Sequence, residues 1–158
     1  MDIIKKYIKD VILFVVILFM WLISGLLFKV DFDFYKLLKL PFFSLPPKYI
    51  SIIWFIIYIL ITISIINVSK KTNILKNNDY LYILLTNYIS NELFLYFFFT
   101  LMSPFLGLSI SIIIFLSTIF LFIETKKISL SSSYFLIPYL IYSLYALILM
   151  ASIYFMNF

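Results

Sequence analysis

Inside one apolar run, Tyr80 to Met102, stand side chains whose chemistry does not suit a greasy setting: Asn87, Asn91 and Glu92. The asparagines are four residues apart, so on a helix they stack on one face, about 40° apart. Phe94 and Phe98 continue that stripe. An amide carries both donors and an acceptor, and a polar group in hydrocarbon is costly until it finds partners. The amides either bond neighbouring helices together, at about 0.6 kcal/mol per bond, or line a pocket and hold the polar edge of a ligand. Glu92 is the sharper case, because a carboxylate at mid-membrane costs roughly 2.5–3.5 kcal/mol on insertion scales. The sequence has no histidine or arginine to pair with it, and its lysines lie outside the apolar runs. Glu92 is therefore expected to be protonated at neutral pH or to face a wet cavity. Such an acid either hydrogen-bonds as a neutral group, much as a glutamine would, or serves as a proton or cation site.

The remaining candidates are aromatic or small. Trp54 lies one turn into the run Ile50–Val68, with Tyr58 one turn further on. A tryptophan near a membrane boundary is an interfacial anchor or, less commonly, a pocket wall. Tyr139, Tyr142 and Tyr145 share the last run with Ser143 and Ala146, small residues that let helices approach closely. No nucleophile–base pair, glycine-rich phosphate loop or metal-ligand cluster appears in the sequence, which also lacks cysteine. Conventional hydrolytic or redox enzymology, a metal centre and a near-neutral histidine shuttle are therefore not expected.

The elements that must position these groups are membrane spans. The 158 residues are 65% hydrophobic and only 12% charged, too apolar for a soluble domain of this length. Charge-poor runs at 11–28, 50–68, 80–102, 105–123 and 133–156 predict a bundle of five transmembrane helices in a single domain, 1–158. At 1.5 Å per residue, about 20 residues cross a hydrocarbon core of about 30 Å. Barrel strands are about half as long and alternate in polarity, so helices are predicted, not a barrel. The basic leader (Lys5, Lys6, Lys9) resembles that of a signal peptide, but no small-residue cleavage site follows the long apolar run, so the run is read as retained. Odd helix number and the absence of an internal repeat argue against an inverted-repeat transporter.

All twelve basic residues are lysines, scattered between the runs; this suits membrane orientation and not nucleic acid. Eight of them (Lys5, Lys6, Lys9, Lys70, Lys71, Lys76, Lys126, Lys127) fall on the side of the N-terminus and four (Lys29, Lys36, Lys39, Lys48) on the other. A cytoplasmic N-terminus follows, with the C-terminus outside. The long connection 29–49 contains Phe34, Tyr35, Pro41, Phe43 and Pro46. It is too apolar for a solvated linker and is stiffened by proline. It is either an interfacial aromatic belt or a lid over one mouth of the bundle.

Three segments, in order, resemble a known family. The first loop and second run read Phe34-Tyr35 and then LPFFSLPPKYISIIWFIIY; the third run reads LLTNYISNELFLYFFF; the fifth reads LIPYLIYSLYA. Together they are similar to the translocator protein family, the tryptophan-rich sensory proteins or peripheral benzodiazepine receptors, from about Val30 to the C-terminus. The resemblance implies a five-helix bundle, often a homodimer, whose first loop caps an internal pocket. It implies binding of tetrapyrroles such as protoporphyrin IX, and in some bacterial members light-dependent breakdown of that porphyrin. By position, it places Trp54, Tyr58, Asn87, Asn91, Phe94, Tyr142 and Ala146 at the ligand, Pro41 and Pro46 in the lid with Phe34, Tyr35 and Phe43, and Pro138-Tyr139 in the fifth-helix signature. The sequence departs from the pattern in having only Trp21 and Trp54 as tryptophans. Phe34, Phe43, Phe94 and Tyr142 stand where tryptophan is common, Ser51 where glycine is usual, and Glu92 where a neutral residue is. A sterol-recognition stretch near the end has no counterpart, because no basic residue follows Lys127.

The functional expectation is thus a membrane tetrapyrrole-binding sensor or translocator that needs no cofactor and takes porphyrin as its ligand. Metal-free porphyrin is favoured over haem, since only Tyr or Met could ligate iron, and Lys36, Lys39 and Lys48 are candidate partners for propionates. The alternatives are a small proton-coupled transporter using Glu92 for a lipophilic or cationic substrate, and a structural partner protein. The expected location is a bacterial cytoplasmic membrane.

Overall fold

A computed structural model describes residues 2–158, with side chains described from Tyr7 onward. Among these residues there are helices and no strand. In chain order they are α1 (Asp2–Trp21), α2 (Ile23–Leu27), α3 (Phe32–Leu37), α4 (Pro47–Ser69), a 3-10 turn (Ile74–Lys76), α5 (Asn78–Leu95), a π turn (Tyr96–Thr100), α6 (Pro104–Ile128), α7 (Leu130–Tyr134) and α8 (Ile137–Asn157). Three stretches among the described residues, Pro47–Ser69, Pro104–Ile128 and Leu130–Asn157, are long and apolar enough to cross a membrane. Their outward faces carry exposed Ile52, Ile56, Ile112, Leu116, Phe120, Ile141 and Ile148. An exterior of that kind belongs in lipid.

The first and third predicted runs are helical but interrupted. The first breaks at Leu22, so that α1 and α2 meet at a corner. Ser24 and Gly25 follow directly, and Gly/Ser pairs are a common cause of helix kinks. The third run leaves α-geometry after Leu95, and the N–H of Leu101 reaches back to the Tyr96 carbonyl at 2.9 Å. This five-residue hydrogen bond turns both Phe98 and Phe99 inward, where they are buried. Met102 then takes a positive φ of 48°, uncommon for a side chain of that bulk, before Pro104 opens α6. The predicted loop 29–49 contains a helix of its own, α3, capped by Asp31, whose Oδ1 accepts the N–H groups of Asp33 and Phe34 at 2.9 Å each.

Contacts between distant segments fix which helix ends lie together. Asp10, midway along α1 and just ahead of its apolar run, pairs with Lys70 beyond the end of α4, at 2.6 Å. The far end of α8 lies beside the first loop, where Asn157 bonds the backbone of Lys39. Helix α6 packs between α5 and α8, and Gly107 lets them close. A Cβ there would stand 2.7 Å from Met150 Cε and 2.7 Å from Phe98 Cδ2.

Glu92 solves a problem created by the corner at Leu22. The first N–H groups of a helix have no partner inside it, and the N–H of Ser24 instead donates to Glu92 Oε2 at 2.7 Å. The carboxyl's other oxygen, Oε1, is buried without a partner among the described residues. Glu92→Gln keeps an acceptor for Ser24 and is expected to leave thermal stability in micelles almost unchanged. Glu92→Leu strands that N–H and should cost about 1–3 kcal/mol, measurable as a lower unfolding midpoint. A glutamine variant as unstable as the leucine one would contradict the capping role.

Candidate functional site

A cavity of about 400 Å³ opens between α4, α5, α6 and α8, beneath the first loop and beside the α1–α2 corner. That size lies within the range of roughly 300–1,000 Å³ common for small-molecule sites. Its wall is aromatic. The Trp54 ring lies 5.6 Å from Tyr58, 6.1 Å from Tyr139 and 5.4 Å from Tyr142, while Tyr142 lies 5.3 Å from Tyr145. Trp21 extends the cluster by stacking on Tyr58 at 5.5 Å. Among the described residues, none that lines the cavity carries a charged side chain.

The candidate ligand residues divide. Trp54, Tyr58, Asn91, Phe94, Tyr142 and Ala146 all line the cavity. Asn87 does not: it is fully buried behind the wall. Its Nδ2 donates to Ser117 Oγ at 2.9 Å and Thr118 Oγ1 at 3.1 Å, and its Oδ1 accepts the Tyr139 hydroxyl at 2.9 Å. Asn91 joins the same network, donating to the Asn87 carbonyl at 2.8 Å and to Tyr139 Oη at 2.7 Å. With its amide hydrogens engaged, the Asn91 Oδ1 is the part of that side chain left to meet a ligand. Glu92 lies outside the lining set, one residue further around α5.

The first loop lies over the cavity. Tyr35 lines it, together with Val30, Phe32 and Pro47. Phe34, Pro41, Phe43 and Pro46 do not line it. Phe34 packs against Phe98 at 5.6 Å, Tyr35 against Phe99 at 6.3 Å, and Phe43 against Tyr145 at 6.3 Å. The π turn thus makes the seat on which α3 rests. Pro41 is buried at the start of the turn closed by Ser44, and Pro46 is exposed just before α4. Burial, reinforced by the neighbouring Tyr145, raises the pKa of the Tyr35 phenol, so it is a neutral donor. The hydroxyls of Tyr35 and Tyr142 are both buried without a partner among the described residues. Unpaired buried donors are rare, and they call for an explanation such as a ligand or a movement.

Lys36, a candidate for propionates, pairs with Asp33 at 3.3 Å on the exposed side of α3. Lys39 and Lys48 likewise stand outside the lining set. Any anionic group of a ligand would therefore meet lysine only at the rim. The reading of the sequence gave Trp21 no role, yet it is 2% exposed and lines the cavity. At the end of α1 it packs against Tyr58 of α4 and Tyr88 of α5, with ring centres 5.5 and 5.2 Å away.

The sequence profile of the TspO/MBR family matches residues 11–156. The chain belongs to the TspO/MBR family. Among curated proteins, it is 32% identical over 153 residues to the membrane protein YtaB of Bacillus subtilis (strain 168), covering 97% of this chain and 99% of that one. It is 29% identical over 149 residues to the tryptophan-rich protein TspO of Bacillus cereus, covering 94% and 97% respectively. Family membership and the apolar helices make this TspO/MBR protein an all-helical integral membrane protein of the sensory or translocator type.

Proposed function

We propose that this TspO/MBR protein binds a flat, lipophilic aromatic ligand of the tetrapyrrole class, protoporphyrin IX being the reference compound, in the cavity beneath the first loop. The observation that carries this reading is the wall of Trp54, Tyr58, Tyr142 and Trp21 around about 400 Å³ of space free of charged lining. Aromatic rings attract one another in offset and edge-to-face arrangements, and Asn91 supplies one polar acceptor at the wall. Propionates would remain at the loop, near Lys39 and Lys48, because an unpaired carboxylate inside would be costly. We read the bundle as five crossings: α1–α2, α4, α5 with its π turn, α6, and α7–α8. The pairing of Asp10 with Lys70 at one end, and of Lys39 with Asn157 at the other, supports that alternation. The lysine distribution supports a cytoplasmic N-terminus in a bacterial cytoplasmic membrane.

Binding in the dark tests the reading. Absorption titration of protoporphyrin IX into protein in micelles should saturate at about one pigment per chain. Trp54→Ala, which removes a large aromatic contact, should weaken it by about tenfold or more. Partitioning that never saturates and equals that of empty micelles would sink the proposal. Illumination of the complex then asks the second question: faster bleaching than in empty micelles would support light-dependent breakdown, with Tyr142 in place of a tryptophan. Coupled transport through Glu92 draws less support, since that carboxyl caps Ser24 and stands off the cavity.

A further inference from the structure

Among the described residues, the side-chain hydrogen bonds that hold the first loop to the bundle come from a single helix, α8. Asn157 of α8 accepts the Lys39 N–H on Oδ1 at 2.9 Å and donates from Nδ2 to the Lys39 carbonyl at 3.0 Å. A further bond from Nδ2 to the Ile153 carbonyl at 2.7 Å fixes the amide in place. Twelve residues earlier, Tyr145 repeats the pattern. Its hydroxyl donates to the Phe43 carbonyl and accepts the Leu45 N–H, both at 3.2 Å. Both side chains hold the loop by backbone N–H and C=O at once, so the grip does not depend on which side chains the loop carries. The other flank of the loop rests on apolar packing, with Phe34 on Phe98 and Tyr35 on Phe99 beside Val30 and Leu38. Phe42, between the two grips, is wholly exposed.

From this geometry we infer that Asn157, with Tyr145, is a positioning pair: a clasp that keeps the loop closed over the cavity and sets how fast a ligand enters and leaves. The inference rests on the proposed binding function for its ligand, but the clasp itself can be read without one. Asn157 is the more telling member, because it does not line the cavity and can act on a ligand only through the loop. Removing it leaves the cavity wall intact and frees the loop at Lys39. A gate accelerates traffic in both directions, whereas a contact residue mainly changes departure. Asn157→Ala should therefore raise the association and dissociation rates of protoporphyrin IX together, each about 3- to 10-fold, the loss of one or two hydrogen bonds. Affinity should change less than either rate.

The test begins without a ligand. Trp21 and Trp54 are the chain's only tryptophans and both line the cavity, so acrylamide quenching of tryptophan emission reports access to it. The inference expects Asn157→Ala to accelerate hydrogen exchange at the Lys39 amide and to raise the quenching constant at least about twofold, at an unchanged helix content by circular dichroism. Asn157→Asp, which keeps the acceptor and loses the donor, should fall between. Tyr145→Phe, which keeps the ring against Tyr142 and Phe43, should act at the Leu45 amide in the same way. Faster exchange at Lys39 with unaltered quenching would overturn the gate, and unaltered exchange would overturn the clasp. If quenching responds as expected but no porphyrin binds, the tetrapyrrole reading fails and the clasp stands. If porphyrin binds and its rates do not move, the reverse holds.

Discussion

Ala146→Leu should weaken protoporphyrin IX binding by between about fivefold and a hundredfold. Ala146 lines the cavity from α8, on the helix that also supplies Tyr142 and Tyr145. A leucine there adds three carbons where the ligand would lie. Overfilling a packed site costs about 1–3 kcal/mol, and each 1.4 kcal/mol is about tenfold in affinity. The added atoms have empty space to enter, so the free protein should unfold at nearly the same temperature as the parent. This combination, lost affinity with kept stability, marks a residue that meets the ligand. Titration and thermal unfolding of the same preparation would check it. If binding were undiminished, the ligand would have to sit elsewhere.

Asn87→Ala should give the opposite pattern, with stability reduced by about 1–3 kcal/mol and porphyrin affinity within about twofold of the parent. Ser117 and Thr118 each donate to the Ile114 carbonyl, so the loss of Asn87 does not strand their hydrogens. Tyr139 is different: it is fully buried, and its hydroxyl donates to Asn87 Oδ1. Alanine leaves that donor without its acceptor and opens a void between α5 and α6. Membrane interhelical bonds average only about 0.6 kcal/mol, so the predicted loss comes chiefly from the stranded hydroxyl and the void. Thermal unfolding in micelles, with porphyrin titration alongside, would decide it. A large loss of affinity at full stability would restore Asn87 to the ligand site.

The contrast between Asn87 and Asn91 shows how far the sequence could be read. Spacing placed both on one face of one helix, and the structure does join them in one network. What spacing could not supply was depth: one turn of α5 separates an amide at the cavity wall from one sealed against α6. The apolar runs were legible because length and lack of charge are written in consecutive residues. The α1–α2 corner and the π turn were not, because each depends on where a backbone N–H finds an acceptor. For Ser24 that acceptor is Glu92, 68 residues away. Helix α3 did have a local signal, an aspartate ahead of Phe32, but the prolines and apolar residues around it suggested only an interfacial belt or a lid. The aromatic wall was legible in part. Trp54, Tyr58, Phe94 and Tyr142 were placed at the ligand by the family resemblance, whereas Trp21 reaches the wall by packing on Tyr58 of α4, a contact that local sequence does not record. The grip of Asn157 on Lys39 spans 118 residues and leaves no mark in local sequence.

Tryptophan emission during a dark titration with protoporphyrin IX tests the central claim most directly. Trp21 and Trp54 are the chain's only tryptophans, and both line the proposed site. A bound porphyrin should therefore quench nearly all of the emission, in a saturable curve that ends at about one pigment per chain. Emission that falls only in proportion to added pigment, or that keeps a large unquenched share at saturation of binding, would place the ligand outside this cavity.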